Sequence, residues 1–265
     1  MQESNKPPKA YRNMDFLNSR DARTIRILSE YLEPMSRFRK YKIKHSIVFF
    51  GSARSADIET TKSEIFEPDK SDPLYVQLKQ KNKYKMKLAE YYEDAVLLSK
   101  KLTEWSLDTD EKTKQSHYIC SGGGPGMMEA ANKGSMLAGG KSIGLNISIP
   151  TEQFANSYIS KDLSFEFHYF FIRKFWFVYF AQALIIFPGG FGTLDELTEV
   201  MTLLQTQKIK RKIPIVIYGS EYWKEIINID AMVKWGTISE EDAQLIYFCD
   251  TVDDAFNYLT KRLKK

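Results

Sequence analysis

Glu196 is a carboxylate set one turn into a helix that opens on a glycine-rich turn, a place that ordinarily welcomes an anion. Ahead of it, Leu184-Ile185-Ile186-Phe187 is an apolar run of strand type that stops at Pro188. The turn Gly189-Gly190-Phe191-Gly192 follows, and from Thr193 to Leu204 the residues Leu194, Leu197, Val200, Met201 and Leu204 recur at helical spacing. Glycines bring backbone N–H groups close to a ligand, and a helix N-terminus adds unpaired donors and a positive dipole end. Gly189, Gly190, Gly192 and Thr193 therefore form a candidate phosphate seat, with Thr193 free to cap the helix or to donate its hydroxyl to the anion. Two readings of Glu196 stand side by side: with Asp195 it complements the dipole, or it acts on the ligand that the loop holds.

A second chemical residue lies 23 positions upstream. The segment Tyr169 to Gln182 is aromatic nearly all round, the pattern of a buried helix. Arg173 in its midst is a cation whose burial is costly unless an anion meets it, so a phosphate or carboxylate is expected beside it. Lys174 either reaches the same ligand or snorkels to solvent. His168 directly precedes this helix and is the best placed of the three histidines, although a lone histidine is more often structural.

Two more strand ends carry candidate groups. Ser46-Ile47-Val48-Phe49-Phe50 runs into Gly51-Ser52-Ala53-Arg54, at the kind of carboxyl edge where doubly wound folds build ligand crevices. Gly51, Ser52 and Arg54 are read as ligand contacts; the alternative is a surface turn with an ordinary arginine. His117-Tyr118-Ile119-Cys120 feeds Ser121-Gly122-Gly123-Gly124-Pro125-Gly126, followed by a helix from Met127. Met stands at 127 where a dinucleotide fingerprint needs glycine, and the next strand ends in Asn146 rather than a ribose-binding acid. No Gly-Lys-Ser/Thr follows either, so a nicotinamide dehydrogenase and a P-loop enzyme are disfavoured, and a mononucleotide loop of Gly122, Gly123, Gly124, Gly126 and Met127 remains. Glu129 either touches base or sugar or satisfies the dipole.

Pro188-Gly189-Gly190-Phe191-Gly192-Thr193-Leu194-Asp195-Glu196 resembles the PGGxGTxxE signature of the Lonely Guy family of phosphoribohydrolases, whose members are often mislabelled lysine decarboxylases. Arg173 stands where that family has its second catalytic residue, and Ser121 to Asn132 resembles its first glycine loop. The resemblance covers roughly 47–217. It implies hydrolysis of the N-glycosidic bond of a nucleoside 5′-monophosphate, AMP or an N6-modified AMP such as a cytokinin riboside monophosphate, to free base and ribose 5-phosphate. Glu196 and Arg173 would be catalytic, no metal or organic cofactor is required, and subunits would pair through the aromatic helix as a homodimer or higher homo-oligomer. The extended N-terminal part and the 55–83 segment depart from the compact plant-type members and favour a broader nucleotide nucleosidase. A non-catalytic nucleotide sensor or carrier of the same fold is the competing reading. A lysine decarboxylase would need a pyridoxal phosphate Schiff-base lysine, for which no lysine has a persuasive context.

The remaining elements position these groups. An amphipathic helix is expected from Asp21 to Phe38, so 1–44 reads as a tail plus a helix packed on a single nucleotide-binding catalytic domain over 45–265. Within that domain 55–83 is expected as a surface excursion with a short helix near Leu74 to Leu78, followed by a helix from Tyr84 to Trp105. Ser148 to Ser160 reads as a polar loop long enough for a lid. Strands are expected at Ile143–Asn146, Leu163–Phe167, Ile213–Tyr218 and Leu245–Cys249, and helices at Glu221–Lys234 and Val252–Leu263. The alternation predicts an α/β, Rossmann-like, doubly wound and mainly parallel sheet with helices on both faces. With 265 residues, 43% hydrophobic, a packed core is expected and global disorder is excluded. The net charge of +4 is scattered, which argues against a nucleic-acid footprint. Two cysteines without metal spacing point to a reducing cytoplasm, and no apolar run is long enough for a membrane span.

Overall fold

The computed structural model describes residues 7–108, 115–150 and 154–263. Seven strands form one sheet: β1 (Ser46–Phe50), β2 (Tyr118–Ser121), β3 (Ser142–Ile147), β4 (Ser164–Phe167), β5 (Ala181–Ile186), β6 (Ile215–Tyr218) and β7 (Ile246–Cys249). Their order is β4-β3-β2-β1-β5-β6-β7, and every pairing is parallel. The chain winds outward from β1 to one edge, then returns to lay β5 against the other side of β1. That reversal makes β1/β5 the topological switch point, where such sheets open a crevice at their carboxyl ends.

The helices are α1 (Met14–Asn18), α2 (Arg23–Lys40), α3 (Ile58–Glu64), α4 (Tyr75–Leu107), α5 (Met127–Leu137), α6 (Phe170–Tyr179), α7 (Phe191–Gln205), α8 (Ser220–Ile226), α9 (Ile229–Lys234), α10 (Glu240–Ala243) and α11 (Val252–Thr260). Strand residues alternate between two cores. Val48, Phe50, Leu184 and Ile186 pack with Phe38 of α2, Trp176 and Phe177 of α6, Leu197 of α7 and Trp223 of α8. Ile47, Phe49, Ala183 and Ile185 face α4, α5 and α11. Both faces are thus covered, and the central strands are apolar on both sides, as a parallel sheet requires. Among the described residues no helix is long and apolar enough to cross a membrane.

Three expectations need correction. The 55–83 segment is largely helical: Asp57 caps α3 by accepting from Thr60 N at 2.8 Å, and α4 runs unbroken over 33 residues where a short and a longer helix were expected. The aromatic helix ends at Tyr179 rather than Gln182, because Ala181 already pairs with Ser46 of β1. Its burial is one-sided: Trp176, Phe177 and Val178 are buried, whereas Phe170, Phe171, Phe175 and Tyr179 are exposed. The expected helix over Glu221–Lys234 breaks at extended Ile227, and Asn228 caps a new start by accepting from Ala231 N at 2.8 Å.

Candidate active site

A cavity of about 670 Å³ opens at the carboxyl ends of β1 and β5. Its floor and one wall are the strand-end turns: Gly51, Ser52 and Arg54 after β1, Gly122 after β2, and Gly189, Gly190, Gly192 and Thr193 where β5 enters α7. These turns are tied together by the backbone. Phe187 N donates to Phe50 O at 2.8 Å, Ser52 N to Pro188 O at 2.9 Å, and Met127 N to Ser52 O at 3.0 Å.

Arg173 from α6 and Glu196 from the second turn of α7 enter the same cavity. The guanidinium lies 3.9 Å from Glu196 Oε1, and both side chains are largely withdrawn from solvent. The other carboxylate oxygen, Oε2, and Arg173 Nε are buried with no hydrogen-bond partner among the described residues. Burial pushes the Glu196 carboxyl up to about 7, against the pull of Lys174 and then of Arg173. Burial also lowers the Arg173 guanidinium from its ordinary value, with the Glu196 carboxylate opposing it; a guanidinium is a strong enough base to stay charged in proteins. The pair is therefore a fixed cation beside a carboxyl that exchanges its proton near neutrality, the property of a general base.

Several other expected contacts lie outside the cavity. Lys174 points along α7 to Asp195 at 2.8 Å and Glu199 at 3.0 Å. Burial lowers its ammonium, but these two carboxylates more than offset that and hold it above its ordinary value. Met127 is buried in the core under Gly51. Glu129 accepts from the Tyr92 hydroxyl at 2.8 Å, an anchor between α5 and α4. Gly123 and Gly124 offer their carbonyls to Asn156 Nδ2 at 3.0 Å each. Gly126 serves close packing: its φ is +70°, and a Cβ would overlap the Ser52 carbonyl oxygen and lie 2.7 Å from the Ala53 carbonyl carbon. His168 is exposed and outside the cavity. Part of the expected lid, 151–153, falls outside the described residues; Asn156 pins the segment after it to the first glycine loop, and Ile149 lines the cavity.

The opposite wall is apolar and was not read from the sequence. Phe170, Phe177, Ile147, Ile149 and Met128 line it, and the Arg173 guanidinium carbon sits 5.1 Å from the Phe170 ring centre and 5.4 Å from that of Phe177. The signal was available, since Phe170 and Phe177 stand at i−3 and i+4 from Arg173 and so share its helix face. Tyr222, which also lines the cavity, gives no such local signal.

The sequence model of a family described as "Possible lysine decarboxylase" matches residues 128–259. Over 72 residues the chain is 36% identical to cytokinin riboside 5′-monophosphate phosphoribohydrolase LOG of Oryza sativa subsp. japonica; that stretch spans 27% of this chain and 30% of the relative's length. The X-ray structure of TM1055, a structural-genomics target, shares the fold at TM-score 0.50 and 17% identity, over 82% of this chain and 99% of that one. The molybdenum cofactor carrier protein of Chlamydomonas reinhardtii gives TM-score 0.47 at 18% identity, over 84% and 99%. The glycine-loop signature, the family match and the plant relative converge on one likeness: the chain resembles the family described as "Possible lysine decarboxylase" over residues 128–259 and a Lonely Guy phosphoribohydrolase over 72 residues.

Proposed function

We propose that the protein hydrolyses the N-glycosidic bond of a nucleoside 5′-monophosphate, AMP or an N6-modified AMP, to free base and ribose 5-phosphate. The observation that carries this reading is the Arg173–Glu196 pair, 3.9 Å apart, in one cavity with the glycine turns. Gly189 to Thr193 hold the 5′-phosphate at the start of α7, and that remote contact places the sugar's reacting carbon beside Glu196. Bond breaking develops positive charge on the sugar, which the carboxylate stabilises while it takes a proton from the attacking water. The new C–O bond replaces the C–N bond, and the proton passes on to the departing base. Arg173 orients Glu196 and favours its ionised form. The apolar wall of Phe170, Phe177 and Ile147 offers the base a stacking surface.

Incubation of the purified protein with AMP, followed by chromatography, is expected to yield free adenine and ribose 5-phosphate. If AMP fails, a nucleotide panel with N6-modified adenosine monophosphates follows; binding without turnover across it would overturn the enzyme reading and leave a nucleotide binder. A decarboxylase would require a neutral lysine amine to form a Schiff base, whereas Lys174, beside the site, is held as an ammonium by two carboxylates.

The assembly proposed is a homodimer. α6 exposes Phe170, Phe171, Phe175 and Tyr179, and the Phe175 ring lies 5.5 Å from that of Tyr31 on α2, a helix that itself exposes Ile25, Leu28 and Leu32; apolar surface of this kind marks an interface. Phe171→Asp is expected to shift the sedimenting species from dimer to monomer at micromolar concentration; an unchanged dimer would place the interface elsewhere. The proposed compartment is the cytoplasm, where the free, buried Cys120 and Cys249 stay reduced.

A further inference from the structure

A glycine loop serves an anion only as well as its N–H groups are aimed, and here residues outside the loop aim them. Two of its carbonyls are held by the rest of the fold. Pro188 O accepts from Ser52 N at 2.9 Å, and Gly189 O accepts from the Tyr222 hydroxyl at 2.8 Å. A peptide unit is planar and trans, so its C=O and N–H point in opposite directions. Holding the Gly189 carbonyl therefore sets the direction of the Gly190 N–H, and Gly190 lines the cavity. Gly189 is close-packed: a Cβ there would overlap Thr193 Oγ1 and lie 3.0 Å from the Gly51 carbonyl carbon. Around Gly190 and Gly192 a Cβ would meet nothing within 4 Å. On the helix side Gly190 O accepts from Thr193 N and Leu194 N at 3.0 Å each, so the Gly189–Gly190 peptide is held between the start of α7 and the Tyr222 hydroxyl.

Tyr222 belongs to α8, far from the loop in sequence, and its ring meets the buried Trp223 edge-on at 5.0 Å. On its other side lies a second cavity, of about 210 Å³, between α4 and α8; Tyr222 and Leu88 wall both cavities. The ring packs against the core that includes Trp223, and the hydroxyl-to-carbonyl bond ties it to the loop. Burial raises the phenol above its ordinary value, which keeps it a donor throughout the neutral range.

We infer that Tyr222 is a positioning residue that orients the Gly189–Gly190 peptide for the substrate's phosphate. The inference rests on the nucleotide reading above and deepens it: a residue outside the signature sets phosphate affinity and leaves the bond-breaking pair untouched. Tyr222→Phe keeps the ring and removes only the donor.

The test is calorimetric titration of wild type and Tyr222→Phe with AMP and with adenosine, together with steady-state kinetics. AMP affinity is expected to fall roughly three- to ten-fold, the worth of one hydrogen bond. KM should rise to match, while kcat and adenosine affinity stay the same. Unchanged AMP affinity, or a fall in kcat with KM unchanged, overturns the inference. If the substitution merely loosens the fold, adenosine affinity falls in step with AMP affinity and melting shifts down, which also overturns it. Failure of the wild type to bind AMP would instead overturn the function on which the inference depends.

Discussion

Glu196→Gln is expected to lower kcat by about two to four orders of magnitude, the range for loss of a general base, while AMP affinity stays within a few-fold. The amide matches the carboxylate in shape but neither takes a proton from water nor offsets charge on the sugar. Turnover retained at a tenth of wild type or more would remove Glu196 from the mechanism. The same substitution reads out the cost of the site. The folded carboxyl titrates at about 7 against an ordinary 4.5, so between those values the folded state binds more protons than the unfolded chain. Wild-type stability therefore falls as pH rises through that window, by on the order of 3 kcal/mol for one such group. The variant lacks this titration. Its melting temperature relative to wild type should climb from pH 4.5 to pH 8, and a constant difference would show that the carboxyl is not desolvated as the structure has it.

Arg173→Ala should cost about 10²-fold in kcat/KM, comparable with removal of one preorganised charge from a buried site. Its signature is in the pH profile. Arg173 is one of two cations that lower the Glu196 carboxyl, with Lys174, so without it the acid limb moves alkaline from about 7. Arg173→Lys keeps the charge, loses the planar fork, and should restore the limb more fully than the rate. A rate loss with an unmoved limb would mean that Arg173 contacts only the substrate. An unmoved rate would exclude it from the site.

The centre of this fold was legible because its signals are local. Strand runs that end in glycine turns mark the carboxyl edge of the sheet, and the turns after β1, β2 and β5 do meet around one cavity. The α4 boundary was not legible for a physical reason. Its buried residues begin at Ala89, so the stretch from Tyr75 projects past the core and carries no apolar period to read. Likewise the α6–β5 junction joins two apolar segments without a polar break, and only pairing of Ala181 with Ser46 fixes where one stops. The destination of Lys174 and the reach of Tyr222 to Gly189 are set by how helices lie against each other, which no spacing within one segment encodes.

The placement of β5 beside β1 also governs how the molecule is made. On the ribosome β1 emerges early, and β2, β3 and β4 can assemble on one side of it while its other edge stays open until Ala181–Ile186 arrive. At ordinary elongation rates that interval lasts roughly ten seconds. Throughout it, Ile47 to Phe50 present an unpaired, wholly apolar strand edge, the template on which nascent chains associate wrongly. The cavity, which needs turns from both strands, cannot form before β5 arrives, so a chain that stalls short of β5 lacks that cavity and is exposed at its most adhesive edge.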